Sequence, residues 1–408
     1  MQTQNKLKEA KIYFKQQLSK KIIIKEYKLV TYVGIGIVIF LIIFFARNYY
    51  LSQKIKTANL NASGLTSKLS KIQAQLTVLE NEDQYKKNKK LEEDIKNIHD
   101  NYSSAVSSYE NLLDLKTKIK DTSSIDKLFA QTLDYLSNKN YASALADIVL
   151  INSLIKQEND KLAASFTIPQ NVTQSNSPPG PGYSTQEVQT DSGSFLVNIV
   201  AADLNSTRVI VDTASDSDCG NNCPTLPLSD YVARNGAFAG INGTYFCPAE
   251  YPSCAGKTNS YDLLVMNKNK HYFNSSNNVY STNPAVIFSG SSARFVGQAL
   301  EWGRDTGVDS VLSNYPLLVS GGQVVYSGGG DPKFAPKGPR DFIGAKGNTV
   351  YIGMISNASM LDAAKVLKTL GLDNALNLDE GGSTALWYGG YKAGPGRNIP
   401  NAILFIRK

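Results

Sequence analysis

The residues best suited to chemistry stand in the stretch 375–384, which reads ALNLDEGGST. An apolar lead-in is followed directly by two carboxylates, two glycines and two hydroxyls, namely Asp379, Glu380, Gly381, Gly382, Ser383 and Thr384. This order is typical of a buried strand that runs out into a functional turn. The carboxylates suit acid–base chemistry, and the glycine N–H and hydroxyl groups suit binding of an anion. The alternative interpretation is a glycine-rich turn with solvated acids, and spacing alone does not separate the two.

The elements before this turn would place it at the edge of a sheet. Residues 349–356 alternate apolar and small side chains like a strand. Ser359 and Asp362 form a capping box, and Gly371 is placed to end the helix that follows. The sequence therefore predicts a strand–helix–strand unit whose two strands run parallel. Ligands of such sheets gather beyond the carboxyl ends of the strands, where the two carboxylates stand.

A second group of candidates lies in 338–341, Gly-Pro-Arg-Asp. The proline would fix a turn, and the Arg340 guanidinium offers a rigid fork of donors for a phosphate or a carboxylate. The alternative is a structural salt bridge between Arg340 and Asp341. The acids of 375–384 would repel an anion unless Arg340 or a cation compensates. An acid in this place therefore favours a catalytic carboxylate or a metal ligand.

Histidine chemistry is not indicated in the C-terminal half. His271 is the single histidine after residue 194, and no nucleophile is marked beside it, so a Ser–His–Asp or Cys–His triad is not expected. There is also no histidine cluster for a transition metal. Glutamate is scarce in this half, so acid–base work falls mainly to aspartates and to Glu380.

Residues 195–408 predict an α+β domain with a mixed sheet, because many hairpins alternate with few helices. The predicted strand pairs are 195–201 with 207–212, 263–266 with 271–273, 285–288 with 293–296, and 316–320 with 323–326. A strand of small residues is predicted at 236–246, and its end carries Asn242, Gly243 and Thr244. The last predicted strand is 402–406.

The cysteines all lie in this domain, as Cys219, Cys223, Cys247 and Cys254. An even number in an extracytoplasmic domain favours disulfides, for which about three pairings exist. Pairing within each neighbouring couple is the simplest expectation. A four-thiolate zinc site is the alternative, although the spacings fit it poorly.

An uncharged apolar segment, 29–46, predicts a transmembrane helix that would rise roughly 27 Å, close to the hydrocarbon thickness of a bilayer. The net charge of +7 resides almost wholly in 1–28, which carries eight lysines against Glu9 and Glu26. This basic tail should stay cytoplasmic and send the remainder outside, as a single-pass protein of the cell membrane. Because the excess positive charge is confined to this tail, a distributed basic groove for nucleic acid is not expected. A cleaved signal peptide is the alternative, but no small-x-small site follows the segment.

Residues 47–167 predict a helical stalk that is free of proline. Apolar residues repeat in it at steps of four and three, as in Leu65, Leu69, Ile72, Leu76 and Leu79. Such heptads favour a coiled-coil seam, against the same chain folded back or against a second copy in a homodimer. A polar break is expected at 81–90, and a second helical block from Thr122 with a break at 138–140. Residues 168–194, rich in Pro, Ser and Gln, predict an extended linker.

Three motifs, in order, resemble those of the phosphodiester glycosidase family. They are Asn242-Gly243-Thr244-Tyr245-Phe246, Pro339-Arg340-Asp341-Phe342-Ile343-Gly344 and Leu378-Asp379-Glu380-Gly381-Gly382-Ser383. The family has Asn-Gly-Gly-Phe-Phe, Pro-Arg-Thr-x-x-Gly and Leu-Asp-Gly-Gly-Gly-Ser in the corresponding places. The resemblance covers roughly 195–408 and does not include the stalk.

The resemblance implies a membrane-anchored hydrolase that cleaves a sugar–phosphate diester in the cell envelope. Asp379 would be the leading catalytic carboxylate with Glu380 as the second acid, Arg340 would hold the phosphate, and Asn242 would orient the substrate. The implied substrate-binding residues are Gly243, Thr244, Asp341, Gly381, Gly382, Ser383 and Thr384.

This sequence departs from the family pattern at Thr244, Asp341 and Glu380. Two of the departures add acid, which could recruit a divalent cation such as calcium or magnesium, alter the substrate, or mark a lineage that no longer hydrolyses. The alternative function is therefore a non-catalytic envelope module, for glycan binding or exopolysaccharide assembly, carried on a coiled-coil stalk.

Overall fold

The computed structural model describes residues 2–274, 282–305 and 307–408. Long helices come first, and a sheet-rich region follows. The helices are α1 (Gln2–Asn81), α2 (Asp83–Lys116), α3 (Ser123–Ser137), α4 (Tyr141–Ser165), α5 (Leu228–Asn235) and α6 (Met360–Thr369). The chain divides into two compact units, Met1–Ile95 and Lys96–Lys408.

The first unit is dominated by α1. Within the described residues, one helical stretch, Thr31–Asn81, is long and apolar enough to cross a membrane, and none of its most apolar window is buried. A helix of this kind near the N-terminus fits either an anchor or a signal sequence. Most side chains of the predicted basic tail lie outside the described residues. The heptad side chains, from Leu65 to Leu79, are exposed in the single chain, so their coiled-coil partner remains a prediction.

In the second unit, the end of α2 packs with α3 and α4 around a small apolar core. Leu112 and Leu115 of α2 are fully buried against Ile125 of α3 and Ile151 of α4. The predicted helix start after Thr122 and the break at 138–140 are both present. Asn140 caps α4 by accepting a hydrogen bond from the N–H of Ser143 at 3.3 Å.

The sheet-rich region is built from many short strands. They are β1 (Thr173–Gln174), β2 (Gly182–Thr190), β3 (Gly193–Asp203), β4 (Thr207–Thr213), β5 (Ala239–Asn242), β6 (Val265–Met266), β7 (Tyr272–Phe273), β8 (Ala285–Ser289), β9 (Ser292–Val296), β10 (Ser310–Ser313), β11 (Leu317–Ser320), β12 (Gln323–Val324), β13 (Gly338–Lys346), β14 (Thr349–Ala358), β15 (Asn374–Asn377), β16 (Leu386–Tyr388), β17 (Tyr391–Ala393) and β18 (Asn401–Arg407). The helices and the mixed sheets confirm the predicted α+β class.

Among the described residues the strands form three sheets. The first has the order β1-β2-β3-β14-β13-β15-β11-β12, the second β7-β6-β10-β8-β9, and the third β17-β16-β5-β18-β4. Strands β1 and β2 pair in parallel, whereas the other pairs are antiparallel. The predicted hairpins β6–β7, β8–β9 and β11–β12 are confirmed.

The predicted strand–helix–strand unit is β14, α6 and β15. Ser359 and Asp362 form the capping box, with the Ser359 side chain accepting from the Asp362 N–H. Strands β14 and β15 both pair antiparallel with β13, which lies between them, so they run in the same direction without touching. The predicted parallel direction is thus present, and it places the end of β15 beside the start of β13.

Three expectations about the chain path are corrected. The strands at 195–201 and 207–212 do not form a hairpin, because β3 pairs with β2 and β14 in the first sheet whereas β4 pairs with β18 in the third. Both strands bury side chains in the core shared by the two sheets, and this outweighs the local turn signal. The segment 338–341 is the start of strand β13 rather than a turn.

The predicted linker 168–194 also needs correction. Its second half contains β2, whose nine residues pair along β3 and whose Val188 is fully buried. The Pro- and Ser-rich composition therefore describes only the residues before β2. The sheet region begins at β1, near residue 173, and not at 195.

The core consists of layers. One large apolar cluster joins the inner faces of the sheets and includes Val211, Ile241, Ile343 and Leu376. Helix α6 covers the outer face of the first sheet, and α5 covers the third. The first and third sheets are therefore covered on both faces, and the ends of their strands are left to form the site.

The disulfides are Cys219–Cys223 and Cys247–Cys254, so the predicted local pairing is confirmed and the zinc alternative is excluded. The second bridge closes the loop 247–254, which lies next to the candidate site. A short loop of this kind, with several exposed residues, gains rigidity from its crosslink.

The position of β2 gives a testable prediction. Val188→Ala should lower the free energy of unfolding by about 1–3 kcal/mol, because a fully buried methyl pair is removed. The measurement is chemical denaturation of the full chain in detergent. Val325→Ala is the matched control, since Val325 is 49% exposed and should change little. Equal denaturation midpoints for both variants would mean that this segment is a free tether after all.

Candidate active site

The turn after β15 begins before Asp379 and Glu380, so both carboxylates can lie on the same side of the chain. Strand β15 ends at Asn377, so the pleat does not force Asp379 and Glu380 to opposite faces. Asn242, at the end of β5, braces the turn twice. Its Nδ2 donates to the Asp379 carbonyl at 2.5 Å, and its Oδ1 accepts from the Ala385 N–H at 3.0 Å. Asn242 is fully buried. It therefore holds the turn, whereas the sequence predicted that it would orient the substrate.

Asp379 is 9% exposed and lies at the base of the turn. Its Oδ1 accepts a hydrogen bond from the Glu380 N–H at 2.9 Å. Burial raises the pKa of Asp379 to about 6, while Ser383 and the charge of Arg397 oppose this rise. At neutral pH, Asp379 is therefore mostly ionised.

Glu380 is held differently, with a side chain that is 12% exposed. Its Oε1 accepts from Arg340 Nη1, and its buried Oε2 has no hydrogen-bond partner within the described residues. Burial raises the pKa of Glu380 to about 8; the charge of Arg340 opposes this rise, and that of Asp379 adds to it. The turn thus carries one carboxylate and one carboxylic acid at neutral pH.

Arg340 does not offer a free guanidinium to a phosphate. Its side chain is 5% exposed, and one of its nitrogens is paired with Glu380. The other hydrogen bonds go to main-chain carbonyls, from Nε to Ala358 at 3.0 Å and from Nη2 to Lys333 at 3.1 Å, Phe334 at 3.4 Å and Pro336. The structure therefore corrects the predicted phosphate-holding role: Arg340 positions Glu380 and the segment 333–336.

Three predicted substrate-binding residues are buried behind the turn. A side chain at Gly243 would collide with Asn401, whose Oδ1 accepts from the Thr244 N–H at 3.0 Å. Thr244 also donates from its Oγ1 to the Ser313 carbonyl at 2.7 Å. Asp341 is 1% exposed, and burial raises its pKa well above the ordinary range, so it is a neutral acid. These residues support the turn and do not reach a ligand.

The accessible part of the turn is its glycine pair. Gly381 is exposed and Gly382 is half-buried, whereas Ser383 and Thr384 are buried. The Thr384 N–H donates to the Gly381 carbonyl at 3.2 Å, which closes a short helical turn over these residues. A ligand would thus meet the two glycines and the Glu380 side chain, and the hydroxyls lie beneath.

Arg397 is a site residue that the sequence reasoning missed. Its N–H donates to the Gly382 carbonyl at 2.8 Å, and its guanidinium packs so closely on Gly382 that a side chain there would displace it. Its guanidinium carbon lies 5.3 Å from the centre of the Tyr251 ring. The available signal was its place four residues before the last strand, in a glycine-rich loop, but nothing local linked it to Asp379.

The sequence has a match among protein families. The sequence model of the phosphodiester glycosidase family aligns with residues 235–406, which hold the three motifs and Arg397. Residues 235–406 match the phosphodiester glycosidase family. This confirms the resemblance, and it leaves α1 to α4 outside the matched region.

Solved structures add distant similarities. A protein from Synechocystis is 14% identical with a TM-score of 0.42, and the alignment covers 55% of this chain and 62% of that one, less than two thirds of its length. The zebrafish N-acetylglucosamine-1-phosphodiester alpha-N-acetylglucosaminidase catalytic domain, auto-inhibited by its pro-peptide, is 16% identical with a TM-score of 0.44 over 59% of this chain and 87% of that one. No curated protein matches the chain.

Within the phosphodiester glycosidase-like region and its neighbouring loops, an aromatic row borders the two carboxylates. It comprises Tyr245, Tyr315, Phe334 and Tyr326, with successive ring centres 5.1, 6.0 and 6.1 Å apart. Burial, followed by the charges of Glu380 and Asp379, raises the pKa of Tyr245, which places this ring beside both carboxylates. Rows of this kind suit the apolar face of a sugar ring.

Recruitment of a divalent cation such as calcium or magnesium was one of three consequences considered for the added acids. Within the described residues, no group of three or more His, Cys, Asp or Glu side chains lies close enough together to hold a metal ion. The added acids are instead accounted for inside the protein, with Glu380 on Arg340 and Asp341 buried and neutral.

The double brace by Asn242 can be tested. Asn242→Ala should speed amide hydrogen exchange in the peptide that contains Ala385 by at least about tenfold, because the N–H of Ala385 loses its buried acceptor. Exchange mass spectrometry on the full chain measures this. Asn348→Ala, which removes an exposed amide bonded to Asp203, should leave that peptide unchanged. Unchanged exchange in Asn242→Ala would show that the turn holds itself without the brace.

Proposed function

We propose that this protein is an extracytoplasmic hydrolase that cleaves the glycosidic bond of a sugar–phosphate diester. The observation that carries the proposal is the pair Asp379 and Glu380, which lie side by side at the end of β15 with pKa values of about 6 and about 8. Two carboxyl groups held in opposite protonation states are the usual requirement of glycoside hydrolysis. The match of residues 235–406 to the family adds independent support.

In this proposal the two groups have distinct roles. Asp379, ionised at neutral pH, attacks the anomeric carbon or activates water there. Glu380, protonated, gives its proton to the oxygen that leaves with the phosphate. The bond between sugar carbon and phosphate oxygen breaks, and a phosphate monoester departs. The sugar ring would pack along the aromatic row.

The alternative, a module that binds envelope glycans without turnover, shares every feature except the chemistry. It predicts binding of an anionic glycan with no sugar released. Because the opposite protonation states of Asp379 and Glu380 have no use in simple binding, we favour the hydrolase.

The pH profile tests the assignment of roles. Activity should rise as pH increases through about 6, where Asp379 loses its proton, and fall as pH increases through about 8, where Glu380 loses its own. The measurement is release of sugar from sugar-1-phosphate diesters between pH 4 and 10. Asp379→Asn should lower turnover by at least about 10²–10⁴-fold at every pH.

Glu380→Gln separates the two limbs of this profile. Gln cannot donate an acid proton, so the residual activity should no longer fall above about pH 8. Glu187→Gln, on strand β2, is the control and should keep the wild-type profile. Undiminished turnover in Asp379→Asn would end the hydrolase assignment.

We also propose that α1 anchors the protein in the cell membrane, with residues 1–28 inside and the disulfide-bearing region outside. The apolar stretch of α1, the lysines before it and the two disulfides each support this arrangement.

Membrane fractionation tests the anchor. The full-length chain should stay in the pellet after alkaline carbonate extraction, and protease added to intact cells should digest the region after residue 96. A shortened, freely soluble product would instead identify residues 29–46 as a cleaved signal peptide. A C-terminal region that resists protease until the cells are broken would overturn the orientation.

A further inference from the structure

The end of helix α2 lies against the loops that surround the candidate site. Asp114 accepts a hydrogen bond from the Tyr251 hydroxyl at 2.6 Å. The same carboxylate lies 3.8 Å from Arg397 Nη2 and 4.0 Å from Lys333 Nζ. One turn earlier, Glu110 accepts from the Ser253 N–H at 3.0 Å. The helical segment is therefore fastened to the disulfide-closed loop 247–254.

Three donors converge on the Asp114 carboxylate. Arg397 and Lys333 are basic side chains, and both lie over the Tyr251 ring, at 5.3 and 4.7 Å from its centre. Burial, followed by the charge of Asp114, raises the pKa of Tyr251, so its hydroxyl remains a donor. Two cations and a hydroxyl around one ring form a group of donors suited to an anion.

The carboxylate does not fill this group of donors well. Its distances to the two cations are about 1 Å longer than those of a tight charge-assisted hydrogen bond. A phosphate has four oxygens in a tetrahedron and is larger than a carboxylate, so it could contact all three donors together. The Asp114 side chain is 29% exposed, and Glu250, whose Oε2 lies 3.8 Å from Arg397 Nη1, is 58% exposed. Neither acid is locked in place by burial.

The same donors adjoin the catalytic turn. Arg397 bonds through its N–H to the Gly382 carbonyl, and its guanidinium packs on Gly382. Lys333 lies in the segment whose carbonyls hold Arg340, and Arg340 in turn holds Glu380. An anion on Arg397 and Lys333 would therefore be bound next to the carboxylates that act on the sugar.

We propose that Tyr251, Lys333 and Arg397 form the phosphate-binding part of the substrate site, and that Asp114 of the helical segment occupies it as an internal competitor. The identity of the substrate phosphate depends on the function proposed above; the binding of an anion does not. The substrate enters when the carboxylate of Asp114 leaves these donors. Residues before the family-matched region thereby set the affinity of the site.

The test measures anion binding rather than turnover. Dimethyl phosphate, a small phosphodiester, and inorganic phosphate are titrated calorimetrically into the full chain in detergent. Asp114→Asn should bind both at least tenfold more tightly than wild type, because the competing charge is gone. Asp114→Glu, which keeps the charge, should bind them as weakly as wild type. Asp121→Asn removes an exposed carboxylate in the turn after α2 and is the matched control, expected to match wild type.

Second substitutions locate the site. In the Asp114→Asn background, Arg397→Gln and Lys333→Gln should each reverse the gain in phosphate affinity. An Asp114→Asn protein that unfolds at the wild-type temperature yet gains no affinity would overturn the proposal, as would a gain that persists without Arg397. The thermal shift produced by phosphate, measured on Lys333→Gln alone, gives a second readout, because that variant should lose any shift that wild type shows.

The results separate this inference from the function. Tighter anion binding in Asp114→Asn without release of sugar would support the inference and count against the hydrolase. Release of sugar, together with unchanged anion affinity in Asp114→Asn, would support the hydrolase and overturn the inference.

Discussion

The buried pairing of Arg340 with Glu380 is the interaction on which the arrangement of the site depends. Strand register brings the two together across forty residues of sequence. Phe342 pairs with Asn377, and the Leu378 N–H donates to the Asp341 carbonyl, so Arg340 faces the start of the turn after β15. The antiparallel ladder between β13 and β15 therefore places a guanidinium beside the turn without any contribution from a ligand.

Burying this pair has consequences for the chemistry. Arg340 is a buried cation that donates to Glu380, and removing this acceptor leaves a buried donor unsatisfied, which destabilises by about 1–3 kcal/mol. Arg340 is consequently fixed, and its remaining donors hold main-chain carbonyls. The same desolvation that makes the pair costly raises the pKa values of Asp379 and Glu380. The fold thus raises the pKa values of the two carboxyl groups. Because Arg340 is committed to protein acceptors, a cation that binds an anionic substrate must be supplied by residues nearer the surface.

Local signals in the sequence predicted local structure well. The capping box at Ser359, the neighbouring cysteine couples and the two-residue turn of β11–β12 each depend on residues close in the chain, and each is present. The turn after β15 could also be located, because an apolar run followed by acids and glycines shows where the strand ends.

What the sequence could not supply were pairings between distant segments. Strands β3 and β4 belong to different sheets although the turn between them resembles a hairpin, because the core shared by the sheets decides their partners. Arg340 donates hydrogen bonds to main-chain carbonyls of the segment 333–336. No rule of sequence spacing predicts these contacts. The same holds for Arg397, because no sequence rule predicts that its guanidinium packs on Gly382.

The extra acids bear on whether this site still acts on an anion. At face value, Asp341 and Glu380 add negative charge where a phosphate should bind. In the folded protein that charge does not reach the surface, because Asp341 is buried as a neutral acid and Glu380 pairs with Arg340. The charges left at the accessible edge are those of Arg397 and Lys333, opposed by Asp114 from α2 and by Glu250. The two departures therefore add no free negative charge to the surface of the turn after β15, where Asp379 is the ionised carboxylate, and they are compatible with retained chemistry.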